Sequence, residues 1–118
     1  MIRVVINRDP SGIINGFEVN GHSGYARAGR DIVCSAVSAV AYTAAGALGE
    51  LAGLDGCYRE SEGRMVVSLP ADIAPERRET ARVILETAGI GFKQIEHAYR
   101  KNVTVTEGEA RVSMMCLS

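Results

Sequence analysis

The sequence lacks the charge excess that is typical of proteins that bind a phosphate backbone. Its 118 residues include 13 Lys plus Arg against 14 Asp plus Glu, which gives a formal net charge of -1. Affinity for nucleic acid comes mainly from basic side chains that neutralise phosphates, so we expect no direct nucleic-acid binding. A chain of this length is expected to form one domain around a single core.

The sequence also lacks a cysteine framework. Its three cysteines, Cys34, Cys57 and Cys116, are an odd number, and none belongs to a Cys-x-x-Cys pair. This spacing disfavours both a disulfide-stabilised fold and a zinc site. We therefore expect three free thiols and neither a metal nor a cofactor.

Neither a secretory signal nor a membrane span is predicted. The first residues, MIRVVINRDPSG, lack a basic region followed by an apolar run and a small-residue cleavage site. Residues 32–49 carry no formal charge over nearly the length of a span. Because Ser35, Ser38, Tyr42 and Thr43 lie within this segment, a buried helix explains it better. We expect a cytoplasmic protein without a membrane segment.

Hydrophobic periodicity predicts the order strand, strand, helix, strand, strand, helix, strand. The predicted strands are 2–7, 13–21, 57–61, 64–69 and 102–106, and the predicted helices are 31–51 and a second that begins at Pro75, with Gly89 and Gly91 as candidate breaks. Asp9-Pro10-Ser11-Gly12 and Glu62-Gly63 predict two hairpin turns. The pattern indicates a two-layer α+β domain with a mixed, largely antiparallel sheet and two main helices. We assign this domain to 1–106 and leave the tail 107–118 unassigned.

One of the two histidines, His22, precedes Cys34 by twelve positions. We predict that Asp31 caps the first helix, which makes Cys34 the third helical residue, where backbone N–H groups and the helix dipole favour a thiolate. A strand ends just before His22, so His22 and Cys34 are expected to meet at one edge of the sheet. The alternative is an inert, packed cysteine and a hydrogen-bonded turn histidine, because this spacing alone is not diagnostic.

The first helix is predicted to have two unlike sides. The side expected to face the core carries Val33, Ala36, Val40, Ala44, Ala47 and Leu51. The opposite side carries Asp31, Ser35, Ser38 and Tyr42, with Cys34 at its margin, and is polar but uncharged below Asp31. Such a stripe fits beneath a covering loop, a bound peptide or a second subunit, and the segment from Gly24 to Gly29 is a candidate for that loop.

The stretch from Gly21 to Ser38 resembles the signature of a known family. It reads Gly-His-Ser-Gly-Tyr and then, from Gly29, Gly-Arg-Asp-Ile-Val-Cys-Ser-Ala-Val-Ser. The ribosomal-processing cysteine protease family, Prp, has a similar signature, Gly-His-Ala-Gly-Tyr followed by Gly-x-Asp-Ile-Val-Cys-Ala-Ala-Val-Ser. Ser23 and Ser35 stand where alanine is usual, and both are small.

This resemblance implies a cysteine endopeptidase that removes the short N-terminal extension of a large-subunit ribosomal protein. It also implies cleavage after a paired-aromatic motif and action as a homodimer. By the same resemblance His22 is the base, Cys34 the nucleophile, and Asp31 and Ser38 supporting residues. The candidates for a glycine-hinged loop that closes on the substrate are Gly21, Gly24, Tyr25 and Gly29.

Two other functions stay open at this point. One is a small ribosome-associated dimer that grips a peptide without cutting it. The other is a different thiol chemistry at Cys34, such as acyl transfer or redox sensing.

Overall fold

A computed structural model describes residues 1–21 and 28–109, with the backbone alone at 28–31 and 109. The elements along the chain are β1 (Ile2–Arg8), β2 (Ile14–Asn20), α1 (Ala28–Ala52), β3 (Tyr58–Ser61), β4 (Arg64–Ser68), α2 (Pro75–Ala98) and β5 (Val103–Glu109). The predicted order of strands and helices is confirmed.

The strands form one mixed sheet in the order β3-β4-β2-β1-β5. The pairs β1–β2, β2–β4 and β3–β4 are antiparallel, whereas β1 and β5 are parallel. This confirms the predicted α+β class. Strand β5 pairs with β1 as far as Arg8 opposite Glu109, so it extends three residues beyond its predicted end and into the segment left unassigned.

Both predicted hairpins are present, and local hydrogen bonds explain the first. The Asp9 Oδ1 atom accepts hydrogen bonds from the backbone N–H of Ser11 and Ile13 at 2.9 and 3.0 Å. Gly12 takes a φ of 91°, a left-handed conformation that glycine adopts at little cost. The β3–β4 hairpin likewise contains Gly63 with a φ of 75°.

The core joins one face of the sheet to both helices. Phe17 of β2 and Phe92 of α2 meet edge to face with ring centroids 5.1 Å apart, a geometry that aromatic rings favour. The other strand residues with at most 1 % exposure that complete this layer are Val4, Ile6, Ile14, Val19, Met65, Val67 and Val103. The sheet therefore supplies β-branched and aromatic side chains to a core that the helices cover.

Helix α2 is continuous, so the candidate break at Gly89 or Gly91 is wrong. A Cβ atom added at Gly89 would lie 3.3 Å from Ile6 Cδ1, and one at Gly91 would lie 3.4 Å from both γ carbons of Val40. These glycines allow α2 to approach β1 and α1 closely. Glycine costs about 1 kcal/mol relative to alanine inside a helix, and the close packing offsets that cost.

The predicted core side of α1 is rotated from the observed one. Val33 and Ala44 are buried as predicted, but the buried stripe is centred on Val37, Ala41 and Leu48, while Leu51 is 71 % exposed. This prediction fails for a physical reason. Because residues 32–49 carry no charge, the sequence has no strongly polar side that would show which side of the helix faces the core.

The apolar character of α1 is explained by its packing. The segment Ile32–Ala52 has a mean hydropathy of 1.7 and is the one described helix long and apolar enough to cross a membrane by length and composition. The core helix of a globular domain has the same properties. Because α1 contributes Val37, Ala41 and Leu48 to the shared core, the buried-helix interpretation agrees with the structure.

Candidate active site

The start of α1 differs from the prediction and changes the surroundings expected for Cys34. The helix begins at Ala28, so Asp31 is its fourth residue and the predicted N-cap is wrong. An acidic residue is favourable within the first helical turn as well as at the N-cap, so the presence of Asp31 does not show which of the two positions it occupies. Cys34 becomes the seventh helical residue and lies beyond the four unpaired N–H groups. The helix terminus therefore does not account for a thiolate at Cys34.

Cys34 and Ser38 lie one turn apart on the same side of α1. Cys34 is half-buried and packs against the core cluster. Ser38 is only 9 % exposed, so its placement on the side of α1 opposite the core is wrong. Ser35 and Tyr42 are exposed, which agrees with their predicted place on the side away from the core. The rotation of α1 described above turns Ser38 inward and leaves Cys34 at the boundary between core and surface.

The side of α1 that carries Cys34 continues to Tyr42 and faces strand β3. The Tyr42 hydroxyl lies 3.0 and 3.1 Å from the two carboxylate oxygens of Glu60, and the Tyr58 hydroxyl donates to the same carboxylate. The two tyrosine rings have centroids 5.8 Å apart and are tilted by 58°. The sequence carried no signal for this cluster, because it forms only when β3 packs beside α1.

Gly21 fixes the path of the chain just before His22. It has a φ of 84°, and a Cβ atom at this position would lie 2.5 Å from the backbone oxygen of Met1. Only glycine fits both constraints. Strand β2 ends at Asn20, so Gly21 determines the direction in which the backbone leaves the sheet toward the candidate base.

The remaining loop candidates divide between two parts of the chain. His22, Gly24 and Tyr25 lie outside the described residues. Gly29 is the second residue of α1, so its assignment to the loop is wrong. Between Gly21 and the start of α1 at Ala28, residues 22–27 lie outside the described part of the chain.

The described cysteines have unlike environments. Cys34 and Cys57 are both free thiols, but Cys57 is buried at 9 % exposure. Burial first, and the negative charge of Asp55 second, raise the pKa of the Cys57 thiol. A protonated and buried thiol is a poor nucleophile, which favours Cys34 for chemistry. Cys116 lies outside the described residues.

The described residues contain no group of three or more His, Cys, Asp or Glu side chains that could hold a metal ion.

The site has the features of a candidate cysteine hydrolase. It combines a partly accessible cysteine on the first helix with a histidine that directly follows Gly21 in the sequence, and both belong to this α+β domain. A family model described as cysteine protease Prp matches residues 1–104. The chain therefore belongs to the Prp family of cysteine proteases, which confirms the resemblance of residues 21–38.

A curated relative agrees with this assignment. The chain is 33 % identical over 108 residues to the ribosomal processing cysteine protease Prp of Bacillus subtilis (strain 168), a match that covers 90 % of this chain and 96 % of the relative. The prediction that this chain is a cysteine protease is confirmed by its family.

Solved structures agree with the fold. A crystal structure from Streptococcus mutans has a TM-score of 0.80 at 26 % identity, with 92 % of this chain and 95 % of that chain covered. Prp from S. aureus in complex with a substrate peptide has a TM-score of 0.79 at 23 % identity, with coverages of 92 % and 100 %. The same S. aureus protease with a covalently linked product peptide has a TM-score of 0.76 at 24 % identity, with the same coverages.

Proposed function

We propose that this protease removes the N-terminal extension of a large-subunit ribosomal protein, with Cys34 as nucleophile and His22 as base. The observation that carries the residue assignment is the contrast between the cysteines: Cys34 is partly accessible on α1, whereas Cys57 is buried with a raised pKa. The substrate class is supported by the name of the Bacillus subtilis relative and by the substrate and product peptides bound to the S. aureus protease.

The proposed mechanism is two-step acyl transfer. His22 accepts the proton of the Cys34 thiol, and the Sγ thiolate attacks the scissile carbonyl carbon. The imidazolium then donates its proton to the departing amine, which leaves a thioester. Water, deprotonated by His22, hydrolyses this thioester and restores the thiol. Because the helix terminus lies too far from Cys34 to favour the thiolate, this mechanism depends on His22.

Asp31 and Ser38 take supporting roles in this proposal. With α1 beginning at Ala28, Asp31 is no longer needed as a cap. A carboxylate that accepts a hydrogen bond from the histidine ring would orient it and stabilise the imidazolium. Ser38 lies one helical turn beyond Cys34 and is nearly buried. This position suits a residue that supports the nucleophile through packing and does not itself react.

Residues 22–27 are proposed to close on the substrate, with Gly21 and Gly24 as hinges and Tyr25 as a contact. Closure of this kind restricts cleavage to peptides that complete the site. Limited proteolysis with and without substrate peptide tests the proposal, and we expect slower cutting within 22–27 when the peptide is present. Equal cutting under both conditions would contradict it.

We also propose a cytoplasmic homodimer with two-fold symmetry. Support comes from an apolar groove of about 520 Å³ between the helices, whose lining includes Val40, Ala47, Ile84 and Ile90. Ile90 is 58 % exposed, and one chain leaves this surface open. Sedimentation at micromolar concentration should show a dimer, and Ile90→Glu should weaken it. A monomeric wild-type protein would oppose the proposal.

Mass spectrometry of an extended ribosomal-protein peptide tests the catalytic assignment. Cys34→Ala and His22→Ala should each abolish cleavage, and the double variant should be little worse because the two residues act as a unit. Cys57→Ala is the matched control and should cut normally when folded. Cleavage by Cys34→Ala would refute the nucleophile. An intact peptide after incubation with reduced wild-type protein would favour the binding module, and a stable sulfenic acid without a thioester would favour redox sensing.

A further inference from the structure

Tyr42 lies two helical turns beyond Cys34 on the same side of α1, with Ser38 between them. Eight residues of α helix correspond to about 12 Å along the axis. The opposite side of α1 faces α2, where Val40 packs against Gly91. The surface that runs from Cys34 to Tyr42 is therefore the side of α1 that borders β3.

The two tyrosines at the far end of this surface are held in fixed positions. The hydroxyl groups of Tyr42 and Tyr58 both engage the carboxylate of Glu60. Burial first, and the hydrogen bond to Glu60 second, raise the pKa of Tyr58 well above its usual range, so its hydroxyl stays protonated and keeps donating. Side chains that are already ordered lose little entropy when a ligand binds.

This pair presents ring surface to solvent. Tyr42 is 46 % exposed, although its hydroxyl is engaged by Glu60 and its ring leans on Tyr58. The Tyr42 and Tyr58 hydroxyl groups thus both engage the Glu60 carboxylate, and the rings are the surface that remains for apolar contact. We call the rings of Tyr42 and Tyr58 the tyrosine wall.

An extended peptide advances about 3.3 Å per residue, so 12 Å corresponds to three or four residues. We propose that the tyrosine wall binds a large apolar side chain of the substrate peptide, three or four residues from the scissile bond. Among the described strands, β3 has no neighbour on its outer side, which leaves room for an extended chain beside the wall. The proposal rests on the assignment of Cys34 as the nucleophile.

The apolar choice follows from the chemistry of the cluster. Both hydroxyl groups converge on Glu60, and what they leave for a peptide is aromatic carbon. Ring surfaces favour aromatic and aliphatic side chains through stacking and burial of area. An acidic side chain at this position would meet the Glu60 charge, so the wall should discriminate strongly against Asp.

Cleavage kinetics on a set of peptides tests this. Each peptide carries Leu or Asp at one position, from five residues before the cut to five after it. The wild-type protein should prefer Leu to Asp by about tenfold or more in kcat/KM at the third or fourth position on one side of the cut. In Tyr42→Ala this preference should fall to about threefold or less, through a higher KM for the Leu peptide and an unchanged kcat.

Two further variants make the result specific. Tyr42→Lys places a positive charge on the wall and should shift the preference toward Asp at that same position. Tyr99→Ala is the matched control, because Tyr99 is also an exposed tyrosine, at 39 %, but follows α2. It should leave the preference unchanged.

A Leu preference that survives in both Tyr42→Ala and Tyr42→Lys, or one located at a different position, would overturn the proposal. The two hypotheses fail separately. If Cys34→Ala still cleaves, the proposed function fails; if Cys34→Ala is inactive and the Tyr42 variants behave like the wild type, only the tyrosine wall fails.

Discussion

The two helices lie on the same face of the sheet and have nearly equal lengths, 25 and 24 residues, but they differ in charge. Helix α1 has no charged residue between positions 32 and 49. Helix α2 makes charged contacts with the strands: Glu86 with Arg8, Lys93 with Glu107, and the Glu96 carboxylate with the Val105 N–H. The charged contacts that join the helices to the sheet are therefore concentrated in α2, whereas α1 carries the candidate nucleophile.

This division has an electrostatic consequence. A carboxylate near a thiol opposes formation of the thiolate, and a stable ion pair near it would compete for the proton acceptor. The described ion pairs of Arg8 and Lys93 join β1, β5 and α2, whereas residues 32–49 of α1 carry no charge and Asp31 is the carboxylate that precedes Cys34 by one helical turn. Variants in α2 should therefore change stability, and variants around Gly21 and α1 should change catalysis.

The largest effect on stability is expected from Phe92→Ala in α2. Phe92 is fully buried and meets Phe17 across the layer, so we expect a loss of about 3 to 5 kcal/mol in the free energy of unfolding. His97→Ala is the control on the same helix, since His97 is exposed and lies outside the groove between the helices. Urea unfolding measures both. A loss below about 1 kcal/mol for Phe92→Ala would contradict the assigned core.

A smaller loss of stability, but a strong loss of activity, is expected from Gly21→Ala. The positive φ and the 2.5 Å approach to the Met1 oxygen should cost about 1 to 3 kcal/mol. Relief of that clash moves the backbone directly before His22, so kcat should fall in the protein that remains folded.

Gly12→Ala is the matched control for this variant. Gly12 has a similar φ of 91°, but nothing lies within 4 Å of a Cβ atom there. It should lose stability through backbone strain alone and keep its kcat. Equal kcat values for the Gly12 and Gly21 variants would show that the direction of the chain at Gly21 does not matter for catalysis.

The smallest effect is expected from Arg8→Gln, and it should depend on pH. The Arg8 guanidinium lowers the pKa of Glu86, while Lys93 first and Arg8 second lower the pKa of Glu107. Because these pKa values lie below their unfolded values, the stabilisation is present above about pH 4.5 and is lost as the pH falls through the folded values. We expect a difference of about 1 kcal/mol or less at pH 7 that shrinks toward pH 3.

Arg82→Gln tests whether the position of the ion pair matters. Arg82 pairs with Glu79 within α2, and a fully exposed pair of this kind should contribute little. Urea unfolding at pH 7 and pH 3 compares the two variants. A loss for Arg8→Gln that persists unchanged at pH 3 would indicate lost packing of the arginine rather than lost charge interaction.

The sequence predicts much of the fold because its signals are local. Alternation in 2–7 and 64–69, and the turn residues of Asp9–Gly12, determine strands and hairpins without distant contacts. The start and rotation of α1 are less predictable, because a helix with no charge at 32–49 offers no polar side and Asp31 suits both a cap and a first turn. Gly89 and Gly91 similarly require knowledge of what packs against them.

The candidate site is likewise only partly predictable from the sequence. The spacing of Cys34 and Ser38 puts them on one side of a helix from sequence alone, and the signature identifies His22. The burial of Ser38 and the contact of Tyr42 with Tyr58 and Glu60 depend on how β3 packs beside α1. No local pattern encodes that arrangement.

The parallel pairing of β1 with β5 also determines when the sheet is completed during folding. Ile2 pairs with Val103 and Arg8 with Glu109, so the first and last strands meet only after the intervening chain has been made. Contacts with such large sequence separation slow folding, and until they form β1 is an unprotected edge on which other chains can add. Nascent chains released before residue 103 should therefore be prone to aggregation, because β1 is then an open edge of the sheet until β5 pairs with it.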